Sequence, residues 1–378
     1  MFLVPSWNRA GGESVVKNLI ENFPQNGYEI HLLCLTDEIT APIPKGCHFH
    51  KGYGLPIDVK NNKLKISLKV LIQTIALIKK IQPDVTHYHL IEGFHTIIIP
   101  IISSFCKNKN VVTIHTRKNY YYLNGLKNIL LKNIERWIFT LSRAIVIAVS
   151  KIEYNFLQRI FNTSRLICIN NGIDVDFFST KNLDAYTREN FGLSDNDFIA
   201  VIVARLSKVK NQELAIKALP VVLKSIPSVK LLLVGKRGDQ EENYKKLVKN
   251  LKLEQNVIFL GEFDDVRPIY NISNLGLLIS TKEGLSITLL EMMSMGLPVI
   301  LSDIPEFRNL FPKHNNIPFV DPYNPEQLAK VIIDLYYAPA KMKSLGAFLR
   351  EYAEKEFSID KQVEKHVNLY KKLIGGKI

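Results

Sequence analysis

The sequence predicts an α/β protein made of two doubly wound domains, each a parallel sheet with helices on both faces. Three observations carry the expectation. The chain has 378 residues, and at roughly 100–200 residues per domain the prior is two. Short apolar runs of strand length alternate with amphipathic segments along its whole length. A polar stretch divides these runs into two sets.

In the first set the runs are Ile30–Leu35, Val85–Tyr88, Val111–His115 and Ala144–Val149, with helical patterns such as Leu64–Ile81 and Leu126–Leu141 between them. The second set is Ile199–Val203, Lys230–Val234, Val257–Leu260, Leu275–Ile279 and Pro298–Leu301. Continuous apolar runs separated by helices belong to parallel strands buried on both faces. The expected domains are therefore residues 1–175 and 176–360, with Asn170-Asn171-Gly172-Ile173-Asp174 and the polar residues up to Asn196 as the hinge. A last helical segment, within 361–378, is expected to pack back near the N-terminal domain. Ligands of open α/β sheets bind outside the carboxyl ends of the strands. Two facing domains would thus hold one substrate each, with the reaction in an interdomain cleft.

The composition, 47% hydrophobic and 22% charged, is that of a globular protein. No run reaches the roughly 18 apolar residues of a membrane span, and Met1-Phe2-Leu3-Val4-Pro5 does not read as a signal peptide. Cys34, Cys47, Cys106 and Cys168 lie far apart, so buried thiols in a reducing, cytoplasmic compartment are expected and a zinc site is not. The net charge of +13 is uneven: residues 1–175 hold 21 Lys and Arg against 11 Asp and Glu. That field suits a phosphorylated substrate, anionic lipid or nucleic acid; ordinary lysine richness is the plain alternative. No nucleic-acid module accompanies it, so no nucleic acid is expected as a partner.

The segment Glu283-Gly284-Leu285-Ser286-Ile287-Thr288-Leu289-Leu290-Glu291 is the most telling. It follows an apolar strand and precedes Gly296-Leu297-Pro298-Val299, giving strand, glycine-containing turn, helix, glycine stop and strand. Ser286 stands near the helix N-terminus, where free N–H groups and the positive end of the helix dipole suit a diphosphate. Glu283 lies just before the helix. Glu291, expected about two turns inside it, has a carboxylate able to accept two hydrogen bonds from a ribose diol. Upstream, Val203-Ala204-Arg205-Leu206-Ser207-Lys208-Val209-Lys210 places Arg205 and Lys210 in a strand-to-helix loop. Fixed cations there would stabilise a departing diphosphate. No metal-ligand cluster is visible, so neither metal nor cofactor is expected. In the first domain Gly11-Gly12-Glu13 opens a helix, with room at Gly12 for close approach of a ligand. His115 ends a buried strand and is expected to face the cleft, while His87 and His89 read as structural.

Taken together, these motifs resemble glycosyltransferase family 4. The match runs through Gly11-Gly12-Glu13, Pro83-Asp84-Val85 with His87 and His89, and Thr113-Ile114-His115. It continues through Ala148-Val149-Ser150, Asn171-Gly172-Ile173-Asp174, Arg205 with Lys210, Val234-Gly235, Phe259-Leu260-Gly261 and Glu283 through Pro298. The resemblance implies the GT-B fold, two facing Rossmann-like domains, and transfer of a hexose-type sugar from a UDP or GDP donor with anomeric retention. In that scheme Arg205, Lys210, Glu283 and His115 serve catalysis. Glu283 contacts the donor-sugar hydroxyls, and the backbone of Gly284, Leu285, Ser286 and Ile287 holds sugar and phosphate. Glu291 takes the ribose, Gly12 approaches the phosphates and His115 sits beside the reacting sugar. Gly235 and Arg237 belong to the loop near the nucleobase, where Lys236-Arg237-Gly238 replaces the family's Gly-x-Gly. Ala204 replaces a common glycine, and Met1-Phe2-Leu3-Val4 is shorter than the usual opening strand, which implies a late start.

The expected acceptor is a glycan, growing on a polyprenyl diphosphate in capsule or O-antigen synthesis. Arg117, Tyr120 and Tyr121 are the candidate acceptor contacts. Basic positions among apolar helices (Lys63, Lys65, Lys69, Lys127, Lys132 and Arg136) suit peripheral contact with an anionic inner membrane. The alternatives are a non-catalytic nucleotide-sugar binder, which would be expected to lack Glu283, Arg205 or Lys210, and an epimerase or phosphorylase on the same fold.

Overall fold

The computed structural model describes residues 1–7, 11–35, 39–52, 57–58, 63–64, 68–90, 106, 108–115, 126–161, 163–181, 183, 187–312 and 316–376. The chain divides into two compact units, Met1–Gly172 with Ile359–Ile378, and Ile173–Ser358.

Unit 1 is built on strands β1 (Phe2–Val4), β2 (His31–Cys34) and β3 (His48–Lys51), followed by an antiparallel pair, β4 (Ile57–Asp58) and β5 (Lys63–Leu64), that stands apart. Strands β6 (Val85–Leu90), β7 (Lys109–Ile114), β8 (Ile145–Ala148) and β9 (Leu166–Cys168) complete the main sheet. Its order is β3-β2-β1-β6-β7-β8-β9, with every neighbouring pair parallel. The helices are α1 (Gly11–Glu21), α2 (Leu68–Ile81), α3 (Leu126–Leu141) and α4 (Lys151–Leu157). Alternate strand residues feed opposite cores, as the period of two requires. Phe2, Val4, Val111, Ile145 and Ile147 pack on one face with Val16, Leu19 and Ile20 of α1. Leu3, Val112, Ile114, Val146 and Ala148 pack on the other.

Unit 2 has strands β10 (Phe198–Val203), β11 (Val229–Val234), β12 (Val257–Gly261), β13 (Leu275–Leu278), β14 (Val299–Ser302) and β15 (Phe319–Val320). They form a parallel sheet of order β12-β11-β10-β13-β14-β15. Its helices are α5 (Gln212–Ser225), α6 (Glu241–Asn250), α7 (Arg267–Ile272), α8 (Ile287–Ser294), α9 (Pro305–Leu310), α10 (Pro325–Tyr336) and α11 (Pro339–Phe357). Gly276 on β13 lets α8 lie close to the sheet: a Cβ there would come within 2.6 Å of Met292 Sδ. From β10 the chain winds to β11 and β12, then returns to β13 on the other side. The carboxyl ends of β10 and β13 therefore open next to each other, at the switch point where such sheets bind ligands.

The last helix, α12 (Ile359–Ile374), belongs to unit 1. It starts two residues earlier than the sequence pattern suggested, and Val363, Leu369, Tyr370 and Leu373 join the core of α1. Gln362 Oε1 accepts a 2.9 Å hydrogen bond from Gly172 N.

Two expectations are corrected. Of the polar stretch read as a hinge, residues 187–196 are docked on unit 2 instead. Its Arg188 donates to the carbonyls of Asp195, Asp197 and Ile272 and to Asn274 Oδ1, at 2.7–3.1 Å. A guanidinium with that many acceptors anchors a loop that composition alone reads as a linker. The four thiols are free, but only Cys34 is buried. Among the described residues no helix is long and apolar enough to cross a membrane.

Candidate functional site

The site of unit 2 is assembled by loops that follow β10 and β13. Residues Lys208–Lys210 form a single 3-10 turn that ends at Asn211, whose φ of 58° is left-handed. Asparagine tolerates that region better than most residues. Here its amide also donates to Ile279 O at 3.1 Å and to Pro322 O at 2.8 Å. Val209 O accepts from Thr281 N at 2.9 Å. These bonds staple the first loop to the second and bring Lys210 to Glu283. Lys210 Nζ lies 2.6 Å from Glu283 Oε1, with side-chain exposures of 29% and 8%. The pair is thus reachable from solvent through the lysine, while the carboxylate is mostly enclosed. A charge-assisted hydrogen bond of this length fixes both groups in position.

Arg205 begins the same loop and is exposed, with no ion pair among the described residues. Its carbonyl is held by Gln212 Nε2 at 3.0 Å, and Gln212 is fully buried at the start of α5. The loop after β11 packs directly on this segment. Leu206 N donates to Lys236 O at 3.2 Å, and Tyr244 Oη donates to Ser207 O at 3.2 Å. Gly235 has φ 137°, and a Cβ there would collide with the carbonyl of Ala204. Its glycine is thus required for backbone contact between two loops. Arg237 points to solvent, 87% exposed, 3.6 Å from Glu241.

Glu283, Gly284, Leu285 and Ser286 lead into α8. Ser286 has extended backbone angles and caps the helix, its Oγ accepting from Leu289 N. The N–H groups of Ile287 and Thr288 lie in the first turn, where no intrahelical acceptor exists. Glu291 is the fifth residue of α8, so it sits little more than one turn inside, closer to the helix mouth than expected. Tyr270 Oη of α7 donates to Glu291 Oε2 at 2.7 Å. Burial raises the Glu291 carboxyl to about 7, against the lowering effect of the tyrosine bond.

Unit 1 presents a different set of groups at its own switch point, between β1 and β6. Gly12 lies at the start of α1 just after β1, and Ser6 Oγ donates to Glu13 Oε1 at 3.1 Å. His115 immediately follows β7 and is 8% exposed. Its Nε2 lies 2.9 Å from His89 Nδ1. His87 bridges Tyr370 Oη at 2.5 Å and Thr113 Oγ1 at 2.6 Å, and His366 Nδ1 faces Gln362 O at 2.8 Å. Burial drives all four histidines down, His115 and His366 to about 4 and the other two well below the ordinary value. They are neutral in the folded protein. Arg117, Tyr120 and Tyr121 lie outside the described residues.

Two family models match the chain, and together they span nearly all of it. Residues 9–177 match the model described as Glycosyltransferase Family 4 and residues 185–354 that of Glycosyl transferases group 1. The chain is a glycosyltransferase, with a family 4 domain in its first half and a group 1 domain in its second.

This transferase is 28% identical to the O-antigen biosynthesis glycosyltransferase WclY of Escherichia coli, over 77% of this chain and 79% of that protein. It is 24% identical to the UDP-Gal:alpha-D-GlcNAc-diphosphoundecaprenol alpha-1,3-galactosyltransferase of the same species, over 78% and 76%. Among solved structures it shares its fold with Anabaena HepE in complex with UDP, at TM-score 0.78 and 19% identity, over 98% of this chain and 99% of that one. The fold is GT-B, two Rossmann-like parallel-sheet units.

Sequence reasoning paired Arg205 with Lys210 and Glu283 with Glu291; in the transferase the ion pair joins Lys210 to Glu283. It missed Tyr270, Asn211 and Gln212, because their partners lie far away in the chain and no local pattern marks them. His89 had a visible signal: it shares a strand face with His87, and the next strand ends at His115.

Proposed function

We propose that the transferase binds the diphosphate sugar of a uridine nucleotide at unit 2 and moves the sugar, with retention, to a lipid-linked glycan in cell-surface polysaccharide synthesis. The observation that carries this reading is the Lys210–Glu283 pair beside the open first turn of α8. A diphosphate at that turn meets free N–H groups, the helix dipole and the cations Arg205 and Lys210, the combination that stabilises negative charge growing on a leaving group. Glu283, held by Lys210, offers its carboxylate to the sugar hydroxyls, and Glu291 offers its own to the ribose diol. Unit 1 carries Gly12 and His115 at its own strand ends, and His115 is assigned to the sugar. These residues supply the electrostatics without assigning a role to a metal.

The uridine donor is supported by the UDP held in HepE and the UDP-Gal named for the E. coli galactosyltransferase. That relative also names a diphosphoundecaprenol acceptor, which supports the lipid-linked glycan. Helix α3 adds a surface suited to meeting such an acceptor at an anionic membrane. Ile129, Leu130, Trp137 and Leu141 are exposed along it, with Arg136 among them. Exposed apolar residues with an interfacial tryptophan and basic neighbours lie favourably at a lipid headgroup boundary. The test is calorimetric titration with UDP, GDP and ADP, followed by transfer assays with UDP-hexoses and membrane-extracted acceptors. Selective UDP affinity with sugar transfer is expected; GDP preference, or UDP binding with hydrolysis of no donor and transfer to no acceptor, would overturn the reading.

A further inference from the structure

The histidine pair His89–His115 has a direction that follows from its surroundings. His89 lies on β6 and is 2% exposed. Its ring is held by His87, with centroids 4.2 Å apart, and by Phe2 at 5.8 Å. Nδ1 faces His115 Nε2 at 2.9 Å, while Nε2 is buried and has no hydrogen-bond partner among the described residues. A neutral imidazole carries one N–H and one lone pair, so two arrangements exist. If His115 donated from Nε2, the single proton of His89 would sit on its own Nε2, a buried donor with no acceptor. If His89 donates from Nδ1, only a lone pair is left unfilled there. Orphaned buried N–H groups are the rarer of the two defects in folded proteins.

We infer that His89 is a positioning residue, donating from Nδ1 to Nε2 of His115 and so fixing His115 as its Nδ1–H tautomer. The low proton affinity that burial imposes on both rings keeps each of them singly protonated near neutral pH. The groups facing the pair are neutral as well: His87 is occupied by Thr113 and Tyr370, and His366 donates from Nδ1 to Gln362 O. With Nε2 taken, His115 has only Nδ1 left for substrate, and Nδ1 is a donor. His115 then acts as a neutral hydrogen-bond donor to a substrate oxygen and has no lone pair free to serve as general base. This last step rests on the proposed placement of His115 beside the sugar; the tautomer itself does not.

The test is long-range proton–nitrogen correlation NMR on the full chain labelled at histidine, with His115 assigned by loss of its signals in His115→Gln. In the unliganded wild type, His115 Nδ1 is expected in the protonated range and Nε2 in the unprotonated range. The reverse pattern overturns the inference, whatever the variants do. In His89→Leu the lock is removed, and a substantial Nε2–H population of His115 is expected. His89→Asn, whose amide can donate from the same place, is expected to restore the wild-type pattern. An unchanged His115 tautomer in a folded His89→Leu protein overturns the role of His89. Turnover is read separately: a fall of roughly 10- to 100-fold in His89→Leu, recovered in His89→Asn, is on the scale of misplacing a group at the reacting centre. If the tautomer switches and turnover does not, His89 still orients His115 and it is the placement of His115 at the sugar that fails.

Discussion

The two units share an architecture and differ in how their sites handle charge. Each is a parallel sheet with a switch point, after β1 in unit 1 and after β10 in unit 2. Unit 2 gathers ionised groups, Lys210 against Glu283 with Arg205 exposed nearby. Unit 1 gathers His87, His89, His115 and His366, all buried and neutral. Desolvation decides the difference. At unit 2 Lys210 and Glu283 lie 2.6 Å apart, and water still reaches the lysine. At unit 1 no carboxylate of the described residues is among the groups that shift these histidines, and burial disfavours their charged form. On the function proposed above, an anionic diphosphate and uncharged hydroxyls have opposite electrostatic needs, which different loop and strand-end residues on the same kind of sheet would meet.

The comparison breaks most visibly at Lys210. Lys210→Ala is expected to lower turnover by roughly 100-fold or more, the scale of losing one charge-stabilising donor. Steady-state transfer assays with a circular-dichroism check of folding would measure it, and a rate near wild type would remove Lys210 from the chemistry.

Acid should separate the units next. The four histidines have folded pKa values below the unfolded value of 6.5. Their contribution to stability is therefore complete above pH 6.5 and is lost as pH falls toward 4, because the unfolded chain binds the protons. Both tryptophans, Trp7 and Trp137, belong to unit 1. Thermal unfolding followed by tryptophan fluorescence should lose midpoint between pH 7 and pH 5 more steeply than a probe placed in unit 2. Parallel losses would show that the histidines do not set the acid sensitivity of their unit.

The smallest effect concerns Glu291, whose carboxyl burial raises to about 7. Ionisation is needed to accept two ribose hydrogen bonds, so nucleotide affinity is expected to rise from pH 6 to pH 8. Without ligand the sign is opposite. A raised carboxyl favours the fold when protonated, and that contribution fades as pH climbs from the unfolded value through about 7. Glu291→Gln should then weaken nucleotide binding by roughly tenfold, on the scale of a lost charged hydrogen bond. It should also flatten the pH dependence and leave unliganded stability at pH 8 equal or higher. Calorimetry and thermal unfolding on the two proteins decide it, and an unchanged affinity would take Glu291 out of the ribose site.

Much of the fold was legible because its signals are local. Val111–Ile114 and Leu231–Val234 are apolar runs buried on both faces, and such runs announce parallel strands. Ser286 before Ile287 announces a helix start, and the cap is present. The docking of residues 187–197 was not legible, since Arg188 finds its acceptors at Ile272 and Asn274, more than 80 residues away. Nor was the hydrogen bond that Tyr270 gives Glu291, because Tyr270 reaches it from another helix.

What the sequence determined by itself is the alternation of strands and helices, the division into two sheets and the residue types at the strand ends. Each of these depends on periodicity or on a few neighbouring residues. Only the tertiary structure decided which groups meet and in what protonation state. The pairing of Lys210 with Glu283 depends on Asn211 stapling two loops. The neutrality of His115 depends on its burial beside His89. Hydrogen bonds and desolvation act over a few ångströms of space, and those distances exist only after strands far apart in the chain have come together.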